Sequence, residues 1–219
     1  MKRSMDLIVS LAALALLAPF LAGIAWRIRR ESPGAVFYRG RRAARGGRSF
    51  RSFKFRTMVV DAERLGGPTT ADGDPRLTPL GTLLRRYKLD ELPQLLNVAR
   101  GEMSLVGPRP EVLEKVARYS REEKRILNVR PGITDWASIW NADEGAALAG
   151  FPDPDQAYER IIRPTKIRLQ LLYCRQASLW VDLKILFYTL IKLCKKNWLP
   201  PELDGFEPLA TSHWARAEP

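Results

Sequence analysis

The sequence predicts an α+β protein in three parts. Residues 1–31 read as an N-terminal re-entrant membrane helix hairpin, and residues 32–199 as a small mixed α/β cytoplasmic domain with interfacial amphipathic helices. Residues 200–219 read as a loose C-terminal extension. Three observations carry this. Residues 7–26, LIVSLAALALLAPFLAGIAW, are twenty uncharged residues in a row, close to the ~20 a helix needs to cross a bilayer core. Short aromatic strand signals are followed by Leu-rich helical stretches. Of the 36 Lys and Arg and 24 Asp and Glu, thirteen and two lie in residues 1–56, so that end holds +11 of the net +12. A basic cluster beside the most apolar segment suits anionic lipid headgroups. A nucleic-acid module spreads its basic residues over a folded face, so the expected partner is a membrane and not a nucleic acid.

The apolar segment has three readings. A cleaved signal peptide has the basic start that Lys2 and Arg3 supply, but this run is long for one and Arg27, Arg29 and Arg30 follow it directly. A straight span must place one of two basic flanks outside, against the positive-inside rule. A re-entrant hairpin keeps both ends on the cytoplasmic side. Pro19 favours a kink, because proline removes a backbone donor and crowds the preceding turn; charge symmetry and Pro19 together favour re-entry. Prolines also occur in ordinary membrane helices, so the kink alone proves little.

Next, residues 36–38 and 50–55 predict two short strands, with Gly46-Gly47 as the turn of a basic hairpin. Residues 61–76 read as loop and 78–88 as a helix rich in Leu and Arg. In Lys88-Leu89-Asp90-Glu91-Leu92-Pro93-Gln94, proline suits a first helical turn and puts both acids at the helix start. As a bare DE-x-P stretch this is a pair of capping acids. The following Gly107-Pro108-Arg109-Pro110 pins an arginine between two prolines, a rigid mount for the side chain best suited to bidentate phosphate recognition. Residues 166–196 place apolar and basic residues at helical spacing, which fits interfacial helices as well as helices packed on a core.

The residue inventory limits the chemistry. One histidine, His213, excludes histidine triads and paired-histidine metal sites. Cys174 and Cys194 make neither a disulfide framework nor a metal clip. A carboxylate beside an arginine remains, and carboxylates can act as nucleophiles on phosphorus.

The chain resembles the bacterial sugar transferases of the polyprenyl-phosphate hexose-1-phosphate transferase family, the monotopic phosphoglycosyl transferases. The matching residues, spread over 1–196, are Lys54-Phe55-Arg56-Thr57-Met58, Asp74-Pro75-Arg76-Leu77-Thr78 with Gly81 and Arg85, and Leu89-Asp90-Glu91-Leu92-Pro93-Gln94-Leu95 with Asn97. Residues 101–110, Arg130-Pro131-Gly132-Ile133-Thr134 and Asp182-Leu183-Lys184-Ile185 complete the match. The resemblance implies a two-step transfer of sugar-1-phosphate from a nucleotide sugar, usually a UDP-sugar, to a membrane polyprenyl phosphate such as undecaprenyl phosphate. UMP is released, and the product begins a lipid-linked surface glycan.

By this match Asp90 is the nucleophile and a ligand of Mg²⁺, and Glu91 deprotonates the acceptor or shapes the site. Arg109 holds phosphate, and Arg85, Lys54 and Arg56 orient the dyad or neutralise charge. The implied location is the cytoplasmic face of the bacterial inner membrane, with the chain as the short form lacking the multi-helix region of larger relatives; a homodimer is left open. After residue 134 the chain departs from many members, reading Asp135-Trp136-Ala137-Ser138, so sugar preference does not carry over. Asp143-Glu144 reads as a solvated loop or sugar contact, and Gly40 stands where relatives often have Gln. The competing class is a non-enzymatic, membrane-anchored basic adaptor in which Asp90 and Glu91 are caps only. A transferase of the multi-span type expects more than one span, and a UDP-releasing glycosyltransferase finds no Rossmann fingerprint here.

Overall fold

A computed structural model describes residues 1–67, 69–195 and 198–206. Lys196, His213 and the part of the expected extension beyond residue 206 lie outside the described residues. The elements in order are α1 (Lys2–Glu31), the strands β1 (Phe37–Ala43) and β2 (Ser49–Phe55), α2 (Pro79–Arg86), α3 (Gln94–Arg100) and β3 (Ser104–Val106). Then come α4 (Leu113–Ala117), β4 (Gly132–Thr134), the short helices α5 (Trp136–Trp140), α6 (Glu144–Ala147) and α7 (Pro154–Ala157), and the longer α8 (Arg163–Gln176) and α9 (Leu179–Cys194).

The apolar segment forms a single helix, α1, of 30 residues with Pro19 inside it. Proline costs the helix the bond to the Ala15 carbonyl and strains one turn, but packing holds the helix on either side. Asp6, Ser10, Ile24 and Ile28 are buried, with Ala13, Leu14, Leu21 and Ala25 packed between them against the domain. Those positions recur at steps of three, four or seven residues and so fall on one side of the helix. Apolar residues are exposed on the other side, including Leu7, Ile8, Leu11, Leu16 and Phe20.

Both ends of α1 are tied to the same folded body. At the start, Lys2 pairs with Asp182 and Arg3 donates to the carbonyls of Val98 and Ala99. Asp6 accepts from the Ser104 hydroxyl at 2.9 Å and the Leu105 amide at 3.1 Å. At the other end Glu31 accepts from the Leu80 amide at 2.9 Å. There Ile24 and Ile28 pack with Val36, Phe55 and Leu84.

The basic hairpin forms as expected: β1 and β2 pair antiparallel from Phe37↔Phe55 to Ala43↔Ser49. Gly46 and Gly47 supply the left-handed residues of its turn, at φ +73° and +75°. A Cβ at Gly40 would sit 2.7 Å from the Tyr38 ring, so the exposed Tyr38 side chain would have to shift. β3 and β4 pair in parallel, Ser104↔Gly132 and Val106↔Thr134, with the main core around them: Val106, Met103, Trp136, Ile139, Leu169, Tyr173 and Ile185. α8 turns Leu169 and Tyr173 into this core.

α9 is inverted. Asp182, Ile185 and Lys192 face inward, while Trp180, Leu183, Phe187, Leu190 and Leu193 are exposed. One expectation is corrected at the C-terminus. Residues 200–206 are not a loose extension: Leu203 is 1% exposed in the main core, and Glu202 pairs with Lys184 at 2.9 Å.

Candidate active site

The site is built where α2, α3 and β2 meet the loop after β3. Thr78 caps α2, its hydroxyl accepting from the Gly81 amide at 2.9 Å, and Pro79 occupies the first turn. The chain leaves α2 through Lys88, a non-glycine residue at φ +57°, which costs roughly 1 kcal/mol. That bend sets the short 3₁₀ turn Leu89–Glu91, and α3 starts after Pro93. The acids therefore sit in a turn of their own just ahead of the helix, and both are buried.

Asn97, fully buried on α3, ties this unit to the hairpin. It accepts from the Phe53 amide at 2.8 Å and donates to the Arg51 carbonyl at 2.9 Å. Lys54, one residue on, is thereby brought to Glu91, its Nζ 2.6 Å from Oε1. Arg109 reaches the same carboxylate with both terminal nitrogens, one at 2.8 Å from Oε2 and the other on Oε1. Its loop is held by backbone approach: a Cβ on Gly107 would lie 2.4 Å from the Arg130 carbonyl oxygen, and one on Gly132 2.1 Å from the Gly107 nitrogen. Asp135 accepts from the Arg109 amide at 3.2 Å while capping α5 through the Ser138 amide.

The two acids differ electrostatically. Burial disfavours the charged form of Glu91, but the Arg109 and Lys54 charges overcome it and hold the carboxylate well below its usual range. Asp90 moves the other way: burial, then the neighbouring Glu91 charge, raise it against the pull of Lys54, Arg85 and Arg109. Asp90 takes no hydrogen bond or ion pair among the described residues. Lys54 is lowered, chiefly by burial. Arg109 is raised by Glu91.

Of the residues expected at the site, Asp90, Glu91, Lys54 and Arg109 come together. Arg85, half-buried on α2, is near enough to act on Asp90 and has no partner of its own among the described residues. Arg56 is elsewhere: its guanidinium donates to the Pro33 carbonyl at 2.7 Å and to the carbonyl and hydroxyl oxygens of Ser32 at 2.9 Å. It clasps the exit of α1, where Pro33 and Ser32 take up its donors, and so is not gathered with the dyad. Pro19 lies in the middle of α1 and is no part of this constellation.

Asp143 caps α6 through the Ala146 amide, and Glu144 lies near enough to raise Arg109. Sequence reading missed Asp6, Asp135 and the buried group Glu111, Tyr158 and Lys166. Asp6 had one available signal, an acid at the mouth of an apolar helix.

Among the described residues no cluster of three His, Cys, Asp or Glu forms a metal cage. An ion held by one carboxylate and completed by substrate phosphate and water fits the pair as built, because Asp90 has oxygens to give and Glu91 does not.

The chain matches the bacterial sugar transferase family over residues 1–196. It is 38% identical over 193 residues to a UDP-N-acetylgalactosamine-undecaprenyl-phosphate N-acetylgalactosaminephosphotransferase of Aeromonas hydrophila, covering 86% of this chain and 42% of the relative. It is 34% identical to the UDP-glucose:undecaprenyl-phosphate glucose-1-phosphate transferase of Escherichia coli, covering 88% and 40%. The exopolysaccharide production protein ExoY of Sinorhizobium fredii is 33% identical, with 88% and 85% covered. The chain thus spans about two-fifths of the first two relatives and most of the third. Dyad, arginine loop and hairpin lysine all lie inside the matched residues, and the chain belongs to the bacterial sugar transferase family.

Proposed function

We propose that this chain transfers sugar-1-phosphate from a UDP-sugar to undecaprenyl phosphate, through a covalent phosphosugar–Asp90 intermediate, with release of UMP. The observation that carries the reading is Asp90: a buried carboxylate without a hydrogen-bond or ion-pair partner among the described residues, beside a Glu91 held by Lys54 and Arg109. In the first step an Asp90 oxygen attacks the phosphorus of the sugar phosphate, and the bond to the bridging oxygen breaks, so UMP leaves. In the second an oxygen of the lipid phosphate attacks the same phosphorus and displaces Asp90. The product is polyprenyl-diphospho-sugar.

Lys54, Arg85 and Arg109 offset the meeting of anions at one carboxylate and favour the ionised form of Asp90. Glu91 shapes the site. A carboxylate held so far below its ordinary range is a poor proton acceptor, and its ion pairs fix the Lys54 and Arg109 heads for phosphate oxygens. Asp90 would hold Mg²⁺ together with the donor's diphosphate; when bound, the ion neutralises charge on the leaving nucleotide.

The same reading puts the domain on the cytoplasmic face of the inner membrane. The ties at both ends of α1 to one body support a membrane insertion that keeps both ends on one side. The outward apolar stripes of α1 and α9 support a shallow seat in the lipid, which keeps Asp90 at the height of a lipid phosphate. The basic-adaptor reading fails on the family match.

The test is nucleotide release from a panel of UDP-sugars by purified protein in detergent with Mg²⁺ and undecaprenyl phosphate. UMP formation that is lost in Asp90→Asn supports the proposal, and the active donor names the sugar. UDP as the released nucleotide contradicts it.

A further inference from the structure

Part of the basic hairpin takes no part in this chemistry. Along β2, Arg51 and Phe53 alternate with Lys54 and so face away from the side that meets Glu91. With Arg39 and Arg41 of β1 and Arg100 at the end of α3 they line an open surface cavity of about 360 Å³, all four arginines being exposed. Arg41 and Arg51 are direct partners across the strand pair, and like charges placed opposite one another destabilise such a pair. Arg39 and Arg100 each bring their guanidinium carbon to 4.8 Å from the centroid of the Phe53 ring, contacts that hold the planes without neutralising the charge. The cavity has one carboxylate, Glu102, and it accepts from Asn97 Nδ2 at 2.7 Å. None of the four arginines makes an ion pair among the described residues.

We propose that this cavity binds a phosphate-bearing anion that bridges Arg41 and Arg51 and is flanked by Arg39 and Arg100. Guanidinium forks match phosphate oxygens bidentately, and an anion between Arg41 and Arg51 removes the repulsion the fold otherwise carries. The cavity lies beside the mouth of α1: Arg100 directly follows Val98 and Ala99, whose carbonyls Arg3 holds. That position suits the headgroup of an anionic phospholipid, and free phosphate has the same chemistry. Anion binding here does not depend on the role given to Asp90; the lipid source alone rests on the membrane reading of α1.

The test uses the full chain in neutral detergent and floats it with vesicles of phosphatidylcholine alone or with phosphatidylglycerol added. Arg41→Gln/Arg51→Gln is compared with Arg45→Gln/Arg48→Gln, which removes the same charge from equally exposed positions at the hairpin turn, outside the cavity. Phosphatidylglycerol is expected to raise wild-type partitioning, and the cavity variant to lose roughly tenfold of that gain, with the turn variant much less affected and all three alike on neutral vesicles. The cavity variant should melt no lower than wild type, since it relieves a like-charge pair. In a second arm, broadening of the ³¹P signal of inorganic phosphate by wild type but not by the cavity variant, without a phosphatidylglycerol effect, assigns the site to free phosphate. Equal losses in both double variants would mean diffuse attraction and overturn the proposal, as would the absence of both effects in wild type.

Discussion

Glu91 and Glu111 are two buried carboxylates with nearly the same company. Glu91 is clasped by Lys54 and Arg109, and Glu111 by Lys166 and the Tyr158 hydroxyl, with Lys166 also donating to Tyr158 at 2.8 Å. They part company in what lies beside them. The Glu111 group closes on itself, donors matched to acceptors, and ties the loop carrying Arg109 to α8. The Glu91 group leaves a second carboxylate beside it, Asp90, unpaired among the described residues. A perturbed ion pair therefore does not mark a site by itself; the unpaired carboxylate next to one does.

The largest expected effect breaks the comparison on the Asp90 side. Asp90→Asn should lower transfer by at least ~10³-fold, the scale of losing a covalent nucleophile, with a melting temperature equal to or above wild type. Glu111→Gln should do the reverse. It strands the Lys166 charge and costs about 3–5 kcal/mol in denaturant titration, with much smaller loss of activity per folded molecule. An inactive but fully stable Glu111→Gln protein would erase the distinction.

Next in size is Arg109→Lys, which keeps the charge but loses the two-point grip on Glu91; kcat/KM should fall ~10²-fold. The pH dependence sharpens the contrast further. Asp90 is raised and works ionised, so the acidic limb of kcat/KM should lie above the ordinary aspartate range and move to still higher pH in Lys54→Met. Glu111 is lowered from 4.5 to about 2, the Lys166 charge overcoming the effect of burial. Its contribution to stability is complete above pH 4.5 and is lost as pH falls toward 2, about 3 kcal/mol in all. The stability curve of Glu111→Gln should be flatter over that window. Smallest is Arg56→Ala, expected to cost about 1–2 kcal/mol at the exit of α1 with transfer near wild type.

Local features are legible in the amino-acid sequence alone. The hairpin turn follows from Gly46-Gly47, the start of α2 from Thr78-Pro79, and the dyad from its turn and the rigid Arg109 loop. What is not legible joins residues far apart in the chain. Lys2 meets Asp182, Asp6 meets Ser104, and Glu111 meets Lys166, and no spacing rule announces such pairs. Arg56 misleads for a related reason: among many basic residues, only the fold decides which one Ser32 captures. The residues around Leu203 look like loose tail because three or four residues carry no periodic signal, yet one leucine suffices to seat them in the core.

The most direct test is the intact mass of the protein after incubation with the active UDP-sugar and Mg²⁺ in the absence of lipid acceptor. The expected result is a gain of one sugar phosphate, mapped to the peptide containing Asp90, absent in Asp90→Asn and discharged by undecaprenyl phosphate. Turnover without any adduct, or an adduct that survives in Asp90→Asn, would contradict it.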